Sequence, residues 1–245
     1  MSRDQATPAE INHKLQLMRQ ALNDTGATGL RLRGTDWFAW ATAGGSNTVL
    51  LAAETGVAEV LVTATNAWIL TDEIEAQRLK DEELPCFSSS EKGAEKGVES
   101  SPYKLAVNPW VESSQREAFV REATNGGTVL SDKPVLSDKP VLSDKPVSNK
   151  PSGSLHDRPP NTEAPLPQFL IHQRSIMLPN ELERYRQVGK LASEAMTGVL
   201  MQAQPDWTEY QLAGAGAAAM WVRGLHPVLT LAAGDRRLPL YHHPL

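Results

Sequence analysis

The chain has 245 residues, with 40% hydrophobic and 22% charged residues, which suits a soluble globular protein of one or two domains and excludes global disorder. The net charge of −5 lacks the basic footprint of a nucleic-acid binder, and no apolar run reaches the ~18 residues that a membrane helix needs. Cys86 is the single cysteine, so an internal disulfide and a cysteine-rich zinc site are both excluded, and a reducing cytoplasm is the expected location.

The charged N-terminus, MSRDQATPAEIN, lacks the apolar core of a secretory signal. Thr7 as N-cap, Pro8 at the first helical position and Glu10 three residues on predict a helix start. Ile11, Leu15, Met18 and Leu22 recur at helical spacing, and Gly26 and Gly29 end the run. Leu30 and Leu32 alternate with Arg31 and Arg33, as in a half-buried strand. Asp36–Trp40 reads as a short helix or turn, with Trp37 and Trp40 as anchors, and residues 43–47 read as a break. GGSN at 44–47 lacks the Lys-Ser/Thr that would make a phosphate loop.

Three strands are expected at Val49–Ala52, Val57–Thr63 and Trp68–Leu70, joined by turns short enough for antiparallel hairpins. Thr71 or Asp72 is expected to cap a helix ending before Pro85. Its acids (Glu73, Glu75, Asp81, Glu82 and Glu83) alternate with Arg78 and Lys80, as on a solvated face. A further strand is expected within 98–107 and a helix over 112–122, so residues 6–123 form an α/β block with a mixed sheet.

Residues 124–168 differ in composition and hold eight of the 17 prolines. VLSDKP occurs three times in succession from Val129 to Pro146, with a degenerate fourth copy after it. Proline every sixth residue excludes helix and central strand, and two apolar residues per unit offset too little ordering entropy. The segment is therefore expected to be a disordered linker. Its repetition reads as a recent duplication without function rather than a docking site for a proline-binding module.

In the block 169–245, Asn180 and Glu183 predict a helix start, and Leu182 through Leu200 form an apolar stripe. Thr208 and Gln211 predict a second start for an Ala-rich helix closed by Gly224. Pro227–Ala232 and Leu238–Tyr241 read as strands around a turn in which Asp235 sits beside Arg236 and Arg237 as a surface ion pair.

Two stretches carry a family resemblance. Gly34–Glu83, with DWFAWATAGG and VLVTATNAWILTDEIEAQRL, resembles the N-terminal domain of the creatinase, prolidase and aminopeptidase P family. LPNELERYRQVGKLASEAM and PDWTEYQLAG resemble the start of that family's pita-bread catalytic domain, with Asp206 and Trp207 replacing the usual Gly and its follower. The resemblance implies a creatinase-type α/β domain, the linker and a partial α+β pita-bread domain. It also implies metal-dependent hydrolysis of peptides, often with proline after the scissile bond, and a possible homodimer.

In that family two divalent ions (Mn, Co or Zn) share a hydroxide held by two Asp, one His and two Glu, and all five ligands fall beyond the matched stretch. After Glu209 the sole carboxylate is Asp235, so neither metals nor other cofactors are expected on this chain. The chain is expected to be truncated and inactive alone, or to be a non-catalytic binding or oligomerisation module of the same ancestry. One family residue has a counterpart, a histidine that contacts the substrate carbonyl. His243 matches it by position, with His242 as the one-step alternative, and a solvated surface turn is an equal reading of both. His13 reads as solvated on the polar side of the first helix, His156 lies in the linker, His226 before Pro227 marks a strand start, and His172 has no visible partner.

Overall fold

The computed structural model describes residues 8–83, 101–134 and 162–242. The chain divides into two compact units, one running to Ile176 and the other starting at Met177.

The first unit is a mixed sheet of six strands, β1 (Gly29–Gly34), β2 (Thr55–Val62), β3 (Ala67–Asp72), β4 (Lys104–Asn108), β5 (Val129–Ser131) and β6 (Glu163–Pro165), in the order β4-β3-β2-β1-β5-β6. Helix α1 (Pro8–Thr25) buries Ile11, Leu15, Met18 and Leu22, the face its spacing predicts. It stops where Gly26 turns left-handed at φ +69°. The expected cap, Thr7, lies outside the described residues. Strand β1 (Gly29–Gly34) leads into α2 (Thr35–Ala41), which buries Trp37, Phe38 and Trp40. Strands β2 (Thr55–Val62) and β3 (Ala67–Asp72) form the expected hairpin, and β1 pairs antiparallel with β2.

Val49–Ala52 is not a strand but an exposed turn. Both sides of β2 are already taken by β1 and β3, so the apolar run has no ladder to join. The helix expected from Thr71 also starts later. Thr71 and Asp72 still pair with β4, and the Asp72 carboxylate accepts the N–H groups of Ile74 (3.0 Å) and Glu75 (3.2 Å). Helix α3 (Ala76–Arg78) follows and widens into a π turn over Leu79–Glu83.

Strand β4 (Lys104–Asn108) lies parallel to β3. Helix α4 (Ser113–Ala123) then crosses from that edge to β5 (Val129–Ser131), which is parallel to β1, and β6 (Glu163–Pro165) is parallel to β5. Alternation sends Leu30, Leu32, Val60, Ile69 and Leu130 to the core under α1 and α2. Leu61, Leu70, Val129 and Val120 meet on the α4 face.

The linker expectation fails at both ends of 124–168. The first VLSDKP copy supplies β5, and residues before Gln168 supply β6. One Val and one Leu per unit suffice here because β1 offers a prepared edge and each side chain is buried on its own face. Pro165 is tolerated because β6 is an edge strand. The copies from Val135 onward lie outside the described residues. The domain boundary expected at 168/169 moves to 176/177. Helix α5 (Gln168–Arg174) packs on α1 with Leu170 fully buried, and Arg174 stacks its guanidinium on Trp37 at 4.4 Å.

The second unit, described to His242, contains α6 (Pro179–Gln202) and α7 (Glu209–Trp221), which pack together. Helix α6 begins two residues earlier than expected, with the Glu181 carboxylate accepting the Leu178 N–H at 2.8 Å. Helix α7 begins as expected. Gln211 N–H donates to Thr208 Oγ1 (3.2 Å), and Thr208 N–H donates to Gln211 Oε1 (2.8 Å). Among the described residues of this unit, Pro227–Ala232 and Leu238–Tyr241 form no strands. Neither segment finds a partner strand inside the unit, and an unpaired ladder is not stable in water.

Candidate functional site

Among the described residues, ionisable groups come together in each unit. In the first unit Arg31 projects from β1 toward the α4 face, where it is 3% exposed. Its Nε donates to Glu59 at 2.5 Å, and its two terminal nitrogens donate to Glu117 at 2.9 and 2.6 Å. Glu59 is shared with Arg116 at 3.2 Å, and Glu163 on β6 bonds Arg33 at 2.5 Å. The residues come together because β1, β2 and β6 each present their odd face and α4 crosses above them.

Burial disfavours the Arg31 cation, yet the Glu117 and Glu59 carboxylates more than offset this and raise its pKa. Burial also acts to raise the Glu117 carboxyl, but the Arg31 hydrogen bonds and charge prevail and hold it below the usual carboxylate range. A network so matched in charge ties β1, β2, β6 and α4 together. It presents no base or nucleophile poised for reaction. Sequence reasoning missed it by reading Arg31 and Arg33 as the solvent side of a strand. Glu59, placed between apolar neighbours in the next strand, was the available signal.

Beside this network a cleft of about 140 Å³ is lined by Leu70, Asn108, Arg116 and Phe119. It is smaller than the ~300 Å³ at which small-molecule sites begin.

The second unit holds the residues suggested by the resemblance. Glu209, in the first turn of α7, accepts the Gly234 N–H at 2.8 Å and pairs with Arg237. The Gly234 hydrogen bond, helped by Arg237, holds its carboxyl below the usual range. Arg237 therefore reaches back to α7 instead of serving an ion pair with Asp235, because Glu209 lies at the helix end facing the 234–237 turn. His242 is exposed, and His243 lies outside the described residues. The ring of His226 packs on Trp221 at 4.5 Å, while His13 and His172 are exposed. His156 and Cys86 lie outside the described residues.

The helix-borne acids at 73–83 are not a uniform solvated face, since Glu83 is buried. Its Oε2 accepts the Ser46 N–H at 2.7 Å, and its Oε1 lies 3.3 Å from Arg78, so it pins the 44–47 loop. Among the described residues, no group of three or more His, Cys, Asp or Glu could hold a metal ion. A dinuclear site rich in carboxylates does not fit this donor set.

No protein-family model matches the chain, and no curated protein sequence matches it. Solved structures do. A Xaa-Pro dipeptidase from Bacillus anthracis aligns over 87% of this chain and 49% of its own, with a TM-score of 0.57 and 14% identity. A prolidase from Pyrococcus furiosus aligns over 85% and 52%, with a TM-score of 0.54 and 13% identity. An X-Pro aminopeptidase from Thermotoga maritima aligns over 86% and 49%, with a TM-score of 0.53 and 13% identity. The fold of the chain is thus the creatinase/prolidase type. The chain spans about half the length of the structures it matches.

Proposed function

We propose that the chain is part of a metal-dependent Xaa-Pro aminopeptidase or dipeptidase, and that these 245 residues do not hydrolyse peptide bonds alone. The fold likeness to a Xaa-Pro dipeptidase across 87% of the chain supports the ancestry. The donor set supports the second part. Hydrolysis by a metal pair needs several oxygen and nitrogen ligands around one point. Of the carboxylates on the α7 side of the second unit, Glu209 is committed to Gly234 and Arg237. In a whole enzyme His243, or His242 in the neighbouring register, would meet the substrate carbonyl and donate a hydrogen bond to its developing oxyanion. The reading carries a cytoplasmic setting and a peptide substrate with it.

A second reading is a binding or self-association module of the same ancestry. It is favoured by apolar surface on α6 and α7: Val188, Met196, Leu200, Met201 and Trp221 are all substantially exposed. The test is incubation of the purified chain with a proline-containing dipeptide and Mn²⁺, alongside its mass in solution over a range of protein concentrations. The first reading predicts no turnover above the blank, and the second adds a mass that rises with concentration. Metal-dependent turnover by the chain alone would overturn both.

A further inference from the structure

Asparagine followed by glycine is a reactive pair, because glycine brings no side chain to hinder attack by its nitrogen. Asn125 is the one asparagine in the chain with glycine after it. The pair closes α4. Asn125 lies in the left-handed region at φ +53° and Gly126 at φ +68°. Gly126 N–H donates to the Arg121 carbonyl at 2.8 Å, and Gly127 N–H donates to the Thr124 carbonyl at 3.0 Å. The pair thus forms a Schellman end to the helix. Both residues are exposed, and a Cβ added at Gly126 would meet nothing within 4 Å. Thr124, just before them, is buried, and its hydroxyl donates to the Val120 carbonyl at 2.7 Å.

We propose that Asn125–Gly126 is a site of spontaneous covalent modification, at which water converts the asparagine to isoaspartate or aspartate. The Gly126 nitrogen gives its proton to hydroxide and attacks Asn125 Cγ. The new N–Cγ bond closes a cyclic imide, and the side-chain nitrogen takes a proton from water and leaves as ammonia. A second water opens the ring. Attack at the side-chain carbonyl leaves aspartate. Attack at the main-chain carbonyl leaves isoaspartate, in which the main chain runs through the former side chain. Nothing is oxidised or reduced.

The fold sets the rate. In the closed turn the Gly126 N–H is engaged by the Arg121 carbonyl, so its nitrogen is not free to attack. Opening the turn breaks two main-chain hydrogen bonds at residues that already face water. Two such bonds slow ring closure by about tenfold to a hundredfold relative to the unfolded chain. Openings of this size are ordinary at a helix end. Isoaspartate then undoes the turn. Its extra main-chain carbon changes the spacing between Arg121 and Gly126, and its carboxylate sits where the helix-end carbonyls disfavour an anion. The following residues lead into the sheet. Thr28 N–H donates to the Thr128 carbonyl at 2.9 Å, and Val129 and Leu130 are buried beside β1. The modified chain therefore holds β5 less tightly.

The test ages the full chain at mildly alkaline pH, folded and in urea. Peptide mass spectrometry follows residue 125, and an isoaspartyl methyltransferase counts isoaspartate. Folded chains should convert at Asn125, and urea should speed the conversion by about tenfold to a hundredfold. Aged folded chains should then show faster hydrogen exchange at Val129–Ser131. Asn125→Gly suits the left-handed position and removes the reactive amide, so its aged chains should exchange like fresh ones. No conversion at Asn125 in the folded chain, or a rate that urea leaves unchanged, would overturn the proposal. So would aged Asn125→Gly chains that lose the same protection as the parent.

Discussion

Replacing Arg31 with Met would test whether the charge network holds the first unit together. Met preserves most of the buried stem and removes the guanidinium. Two carboxylates lose a partner while themselves largely buried, since the side chains of Glu59 and Glu163 are 11% and 10% exposed. Neither is orphaned. Glu59 keeps Arg116 at 3.2 Å, and Glu163 keeps Arg33 at 2.5 Å. The cost therefore falls below the ~3–5 kcal/mol of a fully broken buried pair, at about 2–3 kcal/mol. With a urea slope of ~1–3 kcal/mol/M, the midpoint drops by about 1 M.

Glu117 is the internal control. Its side chain is 54% exposed, so Glu117→Gln costs no more than about 1 kcal/mol in the parent and close to nothing in the Arg31→Met background. The sign with pH also follows. The Glu117 carboxyl is lowered in the folded chain, so its contribution is present above the ordinary carboxylate pKa and is lost as pH falls through the folded value. Arg31→Met should remove that part of the acid sensitivity. An Arg31→Met midpoint within error of the parent, with additive Glu117→Gln, would refute the assignment and make the network a surface-like one.

Leu170→Ala should destabilise the first unit by about 2–5 kcal/mol, because Leu170 is fully buried in the core that includes α1. Amides of β1 should lose protection in the same measurement; an effect confined to residues after 176 would restore the earlier boundary. Glu209 should keep the Gly234 amide slow to exchange at neutral pH, with protection lost as pH falls through its lowered folded pKa. Protection unchanged by Glu209→Gln would show that the turn is held some other way.

Local signals carry much of the fold. Helix α1 is visible in Ile11, Leu15, Met18 and Leu22, and α7 in the Thr208–Gln211 box, because these patterns depend only on near neighbours. The hairpin of β2 and β3 is visible because Thr63 and Asn66 close it, with the Thr63 N–H on the Asn66 carbonyl at 2.8 Å. What local patterns cannot show is a crossover. Helix α4 spans from β4 to β5, and that long-range step turns Arg31 from a solvent-facing residue into a buried one. The same step brings Val129–Ser131 beside β1, where a sequence too polar to order itself finds a ready edge. The strands expected at 227–232 and 238–241 failed for the converse reason: apolar residues were present, but no neighbouring strand was. That Glu209 serves Gly234 and Arg237 required coordinates.

Isothermal titration of the purified 245-residue chain with Mn²⁺, Co²⁺ and Zn²⁺ tests the central claim most directly. The account predicts no saturable site for a metal pair, because among the described residues no three His, Cys, Asp or Glu groups come together to hold an ion. Two equivalents of tightly bound ion per chain would contradict it.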